Sequence, residues 1–548
     1  MDFYQQFVTE RYDENGVLTE FSLHYPENFN FGYDVVDALA KKDPNKRCMV
    51  WCDQQDRERI FTFGEMSRLS NQAANVLRAH GIKKGDRVML LLKRNYEYWY
   101  VIVALHKLGA VAIPATHTLM QKDLEYRIDA VDVSAIVVTA DRSDAPAELD
   151  KCKENHVKKF IVRGPRPGYV DFTAEMEKAS EELERVPTLA REPMLLYFTS
   201  GTTGEPKAVM HDYTYALCHI PTARHWQNVR KDGLHLSVSD TGWGKASWGK
   251  IYGQWLCEAP ILVYDYDQFD PKTLMEVIRK YQVTTFCAPP TIYRFFVKRG
   301  ITPGAFDSVK DAVTAGEAMN PEVARLFEAQ TGLKLREGFG QTESVLMIGD
   351  LVGQTHRPGS MGKPTPLYHV EILKEDGTYA GPGEQGEIVV VPAADGCHHG
   401  VFMGYCGDDE TYAEVWEGGV YHTRDLAYQD EDGYIWYLSR TDDVIKSCGF
   451  RVSPFEVESV LMQHPAVLEC AVTGVPDLGR GWRIKATIVL TDGYVGSGDL
   501  SRQLQQFVLQ NTASYKCPKI FEYVKEMPKT ISGKIRRVEI RQRDQEKQ

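Results

Sequence analysis

Strand and helix patterns alternate in two long runs, and this alternation restricts the possible folds more than any other feature of the chain. The first run places apolar strands at residues 87–92, 110–114, 134–139 and 160–163, with helices such as 96–108 between them. The second run places strands at residues 234–239, 261–264, 284–288 and 311–314, with helices at 272–281 and 320–332. Strands that alternate with helices favour parallel, doubly wound sheets. We therefore predict an α/β fold with two βαβ sheets.

The pattern changes after residue 368. Short strands are predicted at residues 369–374, 386–391, 420–428 and 434–438, joined by turns such as Asp376-Gly377 and Asp432-Gly433. Asp-Gly turns are typical of antiparallel hairpins. We predict that this region forms a small antiparallel β-barrel or sheet within the same large unit.

The balance of charge changes near residue 440. Residues 441–548 carry 16 Lys and Arg against 13 Asp and Glu, a net charge of +3, whereas residues 1–440 carry 48 against 63, a net charge of −15. A small basic unit after a large acidic one favours a separate domain that meets an anionic ligand, although a basic surface can also serve solubility alone. We predict a large domain at 1–440 and a small, mobile α+β domain at 441–548.

The overall composition is that of a soluble globular protein. The net charge of −12 argues against nucleic acid as the main partner, because phosphate backbones attract basic surfaces. Eleven scattered cysteines without a C-x-x-C pair are typical of reduced thiols. The first residues contain no secretory signal, and the longest apolar stretch, 101–115, is too short to cross a bilayer. We predict a cytoplasmic protein without an integral membrane segment; its oligomeric state is not predicted.

A polar loop follows the apolar strand 194–198. It contains hydroxyl residues, two glycines, a proline and a final lysine: Thr199, Ser200, Gly201, Thr202, Thr203, Gly204, Glu205, Pro206 and Lys207. Glycines let backbone amides approach an oxyanion closely, hydroxyls donate to phosphate oxygens, and Lys207 adds a positive charge. The spacing is not that of a Walker A loop. These residues therefore predict a phosphate-binding loop of another kind.

Four further polar clusters lie at 337–343, 421–425, 440–446 and 528–534. The carboxylate of Glu343 suits Mg²⁺, which keeps several waters and takes few protein ligands. Asp425 stands near a strand end, where aspartate commonly binds ribose hydroxyls. The third cluster lies at the charge boundary and is interpreted as a hinge, and the fourth is a basic, Gly-containing loop. Each pattern alone also fits an ordinary turn, hairpin, linker or tail.

In their order along the chain, these motifs resemble the adenylate-forming superfamily of acyl-CoA synthetases, adenylation domains and luciferases. The resemblance covers essentially the whole chain. Segments 237–255 and 447–454 are most similar to the medium-chain acyl-CoA synthetase branch. The resemblance implies two steps: ATP and a carboxylic acid give acyl-adenylate and pyrophosphate, and CoA then displaces AMP to give the thioester. It also implies ATP, Mg²⁺ and CoA as cofactors or co-substrates.

The family pattern implies roles for individual residues in ATP binding. The loop from Thr199 to Lys207 would hold the β- and γ-phosphates, Asp425 the ribose, Arg440 the nucleotide and Glu343 the Mg²⁺. The adenine and α-phosphate would be lined by Glu337, Gly338, Phe339, Gly340, Gln341 and Thr342. Lys534 would bridge the acid and the α-phosphate, and it is assigned as catalytic together with Thr342 and Lys207.

The resemblance also implies that the small domain rotates about Asp442 between the two steps. Rotation would withdraw Lys534 and present a different surface to CoA. The positions that match CoA-binding ones are Cys448, Gly449, Phe450, Arg451, Arg480, Tyr515, Lys516 and Cys517, with His117 as a further candidate. The basic charge of this domain suits the phosphates of CoA.

The acyl pocket is predicted around Trp243, Trp248, Gly316 and Gly340. Gly340 lies where acetate-specific relatives carry a tryptophan that closes the pocket, so glycine is expected to admit a longer chain. The tryptophans are also compatible with an ordinary core position. The predicted substrates are short branched to medium-chain acids, with aromatic acids also open.

Two positions depart from the family pattern. The usual Thr-Gly-Asp is Thr423-Arg424-Asp425, and the usual Gly-Arg before the hinge is Ser439-Arg440. If position 424 requires positive φ, arginine strains the turn. Two other functions stay open: an adenylation enzyme for another acceptor such as a carrier protein, and a catalytically silent homologue that binds CoA or nucleotide.

Overall fold

A computed structural model describes residues 2–154, 156–199, 205–393, 398–447, 450–477, 481–529 and 534–546. Its α-helices are α1 Ala38–Lys42, α2 Phe63–Ala79, α3 Glu97–Leu108, α4 Gln121–Ala130, α5 Asp144–Glu148, α6 Asp150–Lys153, α7 Phe172–Met176, α8 Thr214–Ile220, α9 Lys245–Gly249, α10 Tyr252–Leu256, α11 Pro271–Lys280, α12 Pro290–Arg299, α13 Pro321–Thr331, α14 Asp409–Val415, α15 Pro454–Leu461, α16 Gly498–Asn511 and α17 Arg537–Glu546.

The strands are β1 Val8–Tyr12, β2 Leu18–Leu23, β3 Arg47–Asp53, β4 Glu58–Thr62, β5 Arg87–Leu91, β6 Val111–Pro114, β7 Ala135–Thr139, β8 Lys158–Val162, β9 Val170–Asp171, β10 Pro193–Phe198, β11 Ala208–Asp212, β12 His235–Ser237, β13 Ile261–Asp265, β14 Thr285–Ala288, β15 Asp311–Ala315, β16 Leu335–Phe339, β17 Ile348–Gly349, β18 Lys363–Pro364, β19 His369–Leu373, β20 Gln385–Val391, β21 Gly404–Tyr405, β22 Tyr421–Gln429, β23 Ile435–Arg440, β24 Ile445–Ser447, β25 Phe450–Val452, β26 Val467–Asp477, β27 Gly481–Leu490 and β28 Ile520–Tyr523.

Two large sheets form the body of the chain, as the alternating pattern predicts. One sheet has the order β21-β11-β10-β6-β5-β7-β8-β9, and its pairs from β10 to β9 are parallel. The other has the order β18-β17-β16-β15-β14-β12-β13-β3-β4, with parallel pairs from β16 to β3. The largest hydrophobic cluster takes side chains from both sheets. The two predicted βαβ sheets are therefore confirmed.

Helix ends follow the local chemistry of the sequence. The side chain of Asn320 accepts hydrogen bonds from the backbone N–H of Glu322 and Val323, and Gly332 ends α13 with a φ of 74°. Such an N-cap and left-handed C-cap satisfy backbone groups that a helix leaves unpaired. Helix α3 is buried on every face, which places it inside the large body of the fold.

The region after residue 368 is antiparallel, as predicted, but it is an open sheet. Its order is β19-β20-β22-β23, and the pairing found among the described residues does not join β19 to β23. Of the two predicted forms, barrel or sheet, the structure therefore shows the sheet. Alternating side chains and turn signals fix neighbouring pairs, whereas closure depends on strand tilt and stagger, which a local pattern does not contain.

The last part of the chain forms its own sheet, β25-β24-β27-β26, with β28 parallel to β27. A separate hydrophobic cluster fills it, built from β24–β27, α15 and α16. No disulfide bond links the nine cysteines that the structure describes. Within the same described ranges, no helix has the length and apolar character that crossing a membrane requires.

Candidate active site

The predicted phosphate loop joins two strands of a hairpin. β10 and β11 pair antiparallel, with Phe198 opposite Ala208. The backbone N–H of Lys207 donates to Thr199 Oγ1 at 3.1 Å, and that of Thr199 donates to the carbonyl of Lys207 at 2.8 Å. These bonds fix both ends of the loop against each other. Ser200, Gly201, Thr202, Thr203 and Gly204 lie outside the described residues.

Lys207 and Glu343 lie on either side of one tyrosine. The Lys207 ammonium donates to Thr411 Oγ1 at 3.2 Å and lies 5.4 Å from the centre of the Tyr405 ring. The Tyr405 hydroxyl donates to Glu343 Oε1 at 2.9 Å. The fold thus brings together the phosphate loop and the predicted metal ligand, which are more than 130 residues apart.

The donor set around Glu343 fits Mg²⁺ and not a metal that needs a full protein cage. Among the described residues, no group of three or more His, Cys, Asp and Glu could hold a metal ion. A lone carboxylate beside a phosphate loop suits Mg²⁺, which takes one or two carboxylates and completes its shell with waters and substrate phosphates.

The segment 337–342 has a buried beginning and a more open end. The Glu337 side chain accepts from the backbone N–H of Met319 at 3.4 Å, and burial raises its pKa to about 8. A Cβ on Gly338 would lie 2.7 Å from Trp226 and Leu346. Phe339, Gln341 and Thr342 are only partly buried. The first two residues therefore support the loop from the core.

The Asp425 carboxylate is held by Gln341 and Arg440, and Gln341 is itself held by Thr423 and Tyr421. Gln341 Nε2 donates to its Oδ2 at 2.7 Å and to the carbonyl of Thr423 at 2.8 Å, while the Tyr421 hydroxyl donates to Gln341 Oε1. Arg440 lies 3.4 Å from the same carboxylate. Burial raises the pKa of Asp425 to about 6, and Arg440, the bond from Gln341 and Lys534 partly offset this. The carboxylate is thus fixed in position before any ligand binds.

Lys534 lies within electrostatic range of both Asp425 and Lys245. Its charge lowers the pKa of Asp425. Desolvation lowers the pKa of Lys245, and the Lys534 ammonium acts in the same direction. The Lys245 ammonium donates to the carbonyl of Ala315. Lys245 belongs to segment 237–255 but was not among the predicted site residues.

The space beside Gly340 is filled by Trp248. A Cβ on Gly340 would lie 2.4 Å from the Val345 carbonyl oxygen and 2.5 Å from the Trp248 ring. An indole of the same chain thus occupies the space that a side chain at 340 would take, and the admission of an acyl chain longer than acetate stays a prediction. Trp248 is 6% exposed, whereas Trp243 is only partly buried. Gly316 has a φ of 104°, and a Cβ there would lie 3.8 Å from the Lys245 ammonium.

The residues predicted to bind CoA divide into surface and core positions. Phe450 and Tyr515, 50% and 39% exposed, stack with ring centres 4.3 Å apart. Lys516 pairs with Glu456 at 3.0 Å, and Arg451 pairs with Glu375. Cys448, Gly449 and Arg480 lie outside the described residues.

Two other CoA candidates are less accessible. Cys517 is 1% exposed and its side chain packs in the core of the last sheet, so the predicted contact of this position with CoA is left to its backbone. The sequence pattern marks the position but not the direction of its side chain. His117 Nδ1 lies 3.1 Å from Asp240 Oδ2, and Asp240 also lies 3.5 Å from Arg94.

Asp442 stands between two anchored neighbours. On one side, the Thr441 N–H donates to the Arg424 carbonyl at 2.9 Å, and Arg440 pairs with Asp425. On the other side, Asp443 pairs with Arg541 at 2.7 Å. Asp442 itself has a looser pair with Arg440, at 3.7 Å.

Arg424 has the strained backbone that its departure from the family pattern predicts. Its φ is 60°, in the left-handed region that costs most residues other than glycine about 1–2 kcal/mol. Its guanidinium pairs with Glu414 at 3.2 Å on an exposed face, whereas Asp425 is buried. The added cation therefore points away from the buried carboxylate.

Comparisons with known families agree with this arrangement. Residues 36–406 match the family described as AMP-binding enzyme, and residues 456–534 match the AMP-binding enzyme C-terminal domain. The chain is 38% identical over 537 residues to the mitochondrial acyl-coenzyme A synthetase ACSM3 of Rattus norvegicus, covering 96% of this chain and 92% of the relative.

Two solved structures are similar over almost the full length. The anthranilate CoA ligase AuaEII, in complex with anthranoyl-AMP, has 27% identity and a TM-score of 0.86, with 95% of this chain and 98% of that chain covered. The acyl-CoA synthetase of Brucella canis has 29% identity and a TM-score of 0.72, with 95% of each chain covered.

Proposed function

Because the chain belongs to the AMP-binding enzyme family, we propose that it is an AMP-forming acyl-CoA synthetase. A carboxylic acid and ATP give acyl-adenylate and pyrophosphate, and CoA then gives acyl-CoA and AMP. The observation that carries the proposal is the position of Lys534, which acts electrostatically on Asp425 and Lys245 although it lies more than 100 residues beyond either of them. The names of the relatives, acyl-coenzyme A synthetase and anthranilate CoA ligase, support the same reaction.

The first step needs positive charge, because a carboxylate must attack a polyphosphate. Lys207 and the loop 199–207 would hold the β- and γ-phosphates, and Lys534 would neutralise charge between the acid and the α-phosphate. Mg²⁺, when bound through Glu343, would supply further charge to the phosphate oxygens. Asp425, fixed by Gln341, would accept hydrogen bonds from the ribose hydroxyls.

The second step needs a different surface of the small unit. We propose that residues after Asp442 rotate, which removes Lys534 and brings the face containing Phe450, Arg451, Tyr515 and Lys516 to CoA. Two exposed, stacked rings beside cationic side chains suit a nucleotide with phosphates. The thiol of CoA then attacks the acyl carbon and AMP leaves.

The proposal is tested with ATP, Mg²⁺ and a panel of carboxylic acids from two to ten carbons, branched and aromatic acids included, with and without CoA. We expect AMP and acyl-CoA to form together with at least one acid. Acyl-adenylate that accumulates and is not transferred to CoA would favour an adenylation enzyme for another acceptor. No AMP and no pyrophosphate with any acid would favour a catalytically silent homologue.

Affinity for ATP is expected to fall at acid pH. The pKa of Asp425 is about 6, and only the carboxylate accepts two ribose hydroxyls well. At one pH unit below this pKa, roughly one-tenth of the sites are ionised, so the KM for ATP is expected to be about tenfold higher at pH 5 than at pH 8. Initial rates with ATP varied from pH 5 to 8 measure this.

The matched variant for that measurement is Asp425→Asn. It is expected to have a higher KM for ATP at pH 8 and no further rise through pH 6, because the amide does not titrate. If the KM for ATP of Asp425→Asn depended on pH as that of the wild type does, Asp425 would not be the group that binds the ribose.

Trp248 is expected to limit the length of the acyl chain, since its ring occupies the space beside Gly340. Trp248→Ala is expected to raise the ratio of kcat/KM for a longer acid to that for a shorter one by about tenfold or more, because each methylene accommodated contributes about 1–3 kcal/mol. The ratio does not depend on the fraction of folded enzyme. Trp248→Phe should lie between the two, and an unchanged ratio in Trp248→Ala would place Trp248 outside the pocket.

A further inference from the structure

A shared carboxylate joins the two parts of the chain. Arg294 of α12 lies 3.2 Å from Glu469 Oε1, and Lys529 lies 2.9 Å from Glu469 Oε2. The side chains of Arg294 and Glu469 are only 14% and 12% exposed. Glu469 is on β26, in the last sheet, while α12 lies in the large body. One carboxylate therefore pairs with a cation from each part.

The same faces of the two elements make a second contact. The Lys298 ammonium donates to the Val467 carbonyl at 2.5 Å, and burial lowers the pKa of Lys298 to about 8. Arg294 and Lys298 are four residues apart on a helix, and Val467 and Glu469 are two apart on a strand. The helix spacing places both cations on one face of α12, and they meet β26 at neighbouring points, the Val467 backbone carbonyl and the Glu469 side chain, on either side of a register shift. The contact is thus a matched surface and not a single chance pair.

Lys529 links this surface to Lys534. Lys529 forms an antiparallel bridge with Ile535, the residue directly after Lys534. The backbone N–H of Arg536 also donates to the Pro528 carbonyl at 2.8 Å. These contacts fix the two ends of the segment that contains Lys534. A displacement of Glu469 would therefore be transmitted through Lys529 to the base of that segment.

We propose that Arg294 is a positioning residue for Lys534: it docks Glu469 and Lys529 onto the large body in the arrangement that forms acyl-adenylate. This inference rests on the proposed function. The contact must break when the small unit rotates for the thioester step, because one partner stays on α12. The contact therefore biases the equilibrium between the two arrangements.

Loss of Arg294 leaves the largely buried Glu469 with one cation fewer, which is costly in a desolvated site. Arg294→Ala is expected to slow acid-dependent ATP–pyrophosphate exchange about tenfold or more, while thioester formation from supplied acyl-adenylate and CoA stays as fast as in the wild type or becomes faster. Arg294→Lys keeps the charge and should recover most of the exchange activity. Arg299→Ala changes an exposed arginine on the same helix and should match the wild type.

The experiment measures the two half-reactions separately for Arg294→Ala, Glu469→Gln and the double variant. Selective loss of exchange, with the double variant no worse than the more damaged single one, supports the proposal. Equal loss of both half-reactions, or exchange that is unchanged in Arg294→Ala, overturns it.

A measurement without substrates separates this proposal from the proposed function. The rate of limited proteolysis at residues 441–443 should rise in Arg294→Ala, and high salt should raise it in the wild type more than in the variant. If the wild type shows no ATP–pyrophosphate exchange with any acid, the proposed function fails. The proteolysis rate then shows by itself whether Arg294 docks the two parts. Proteolysis that is insensitive to Arg294→Ala would show that the contact does not dock the two parts.

Discussion

Lys534→Ala is expected to reduce acyl-adenylate formation by about 10²–10³-fold, the usual cost of removing one group that stabilises developing charge. The site already contains Lys207, but that ammonium is engaged by Thr411 near the phosphate loop. Lys534 acts instead on the side of Asp425 and Lys245. We therefore propose that it serves the α-phosphate and the acid, to which no other catalytic cation is assigned.

The same variant should form the thioester normally from supplied acyl-adenylate and CoA, because the proposed rotation would withdraw Lys534 before that step. Acid-dependent ATP–pyrophosphate exchange measures the first half-reaction, and release of AMP from synthetic acyl-adenylate measures the second. Lys525→Ala, an exposed lysine of the same small unit, is the control. Pyrophosphate exchange at the wild-type rate in Lys534→Ala would contradict the assignment.

Asp442→Pro is expected to slow the thioester step about tenfold or more and to affect adenylation much less. Proline fixes φ near −65° and removes a backbone N–H. Arg440 and Thr441 are bound to the large body, and Asp443 is bound to α17 through Arg541. The backbone bonds that can turn between these anchors are therefore those of Asp442.

Asp442→Ala is the matched control, since it removes the weak pair with Arg440 but leaves the backbone free. It should retain most of both half-reactions. If proline at 442 lowered adenylation and thioester formation by the same factor, the damage would be general and the hinge would lie elsewhere.

The sequence predicts the layers of the fold well because those depend on local patterns. Alternating strand and helix segments gave both large sheets, and capping residues such as Asn320 and Gly332 gave helix ends within a residue or two. For the antiparallel region the sequence left a barrel or a sheet open, and the structure shows an open sheet. Whether four strands close depends on contacts between residues far apart, which a two-residue alternation does not encode.

The sequence predicts which positions form the candidate site where those positions belong to a motif. It does not predict the direction of a side chain, which depends on packing. Asp425, Gln341, Glu343 and Lys207 converge as their order in the chain implied. The direction of a side chain was not predictable, as Cys517 in the core and Trp248 beside Gly340 show. The contact of Arg294 with Glu469 was also missed, because neither residue belongs to a motif.

The hairpin that carries the phosphate loop has a consequence for the release of product. Many phosphate loops lead into a helix, whose positively charged N-terminus attracts the anion. This loop leads into strand β11 and therefore lacks that attraction. We therefore expect attraction for pyrophosphate to come from hydrogen bonds of the loop, from the Lys207 ammonium and from Mg²⁺ when it is bound. We expect this weaker hold to let pyrophosphate leave once its bond to the α-phosphate is broken, before the proposed rotation withdraws Lys534 and admits CoA.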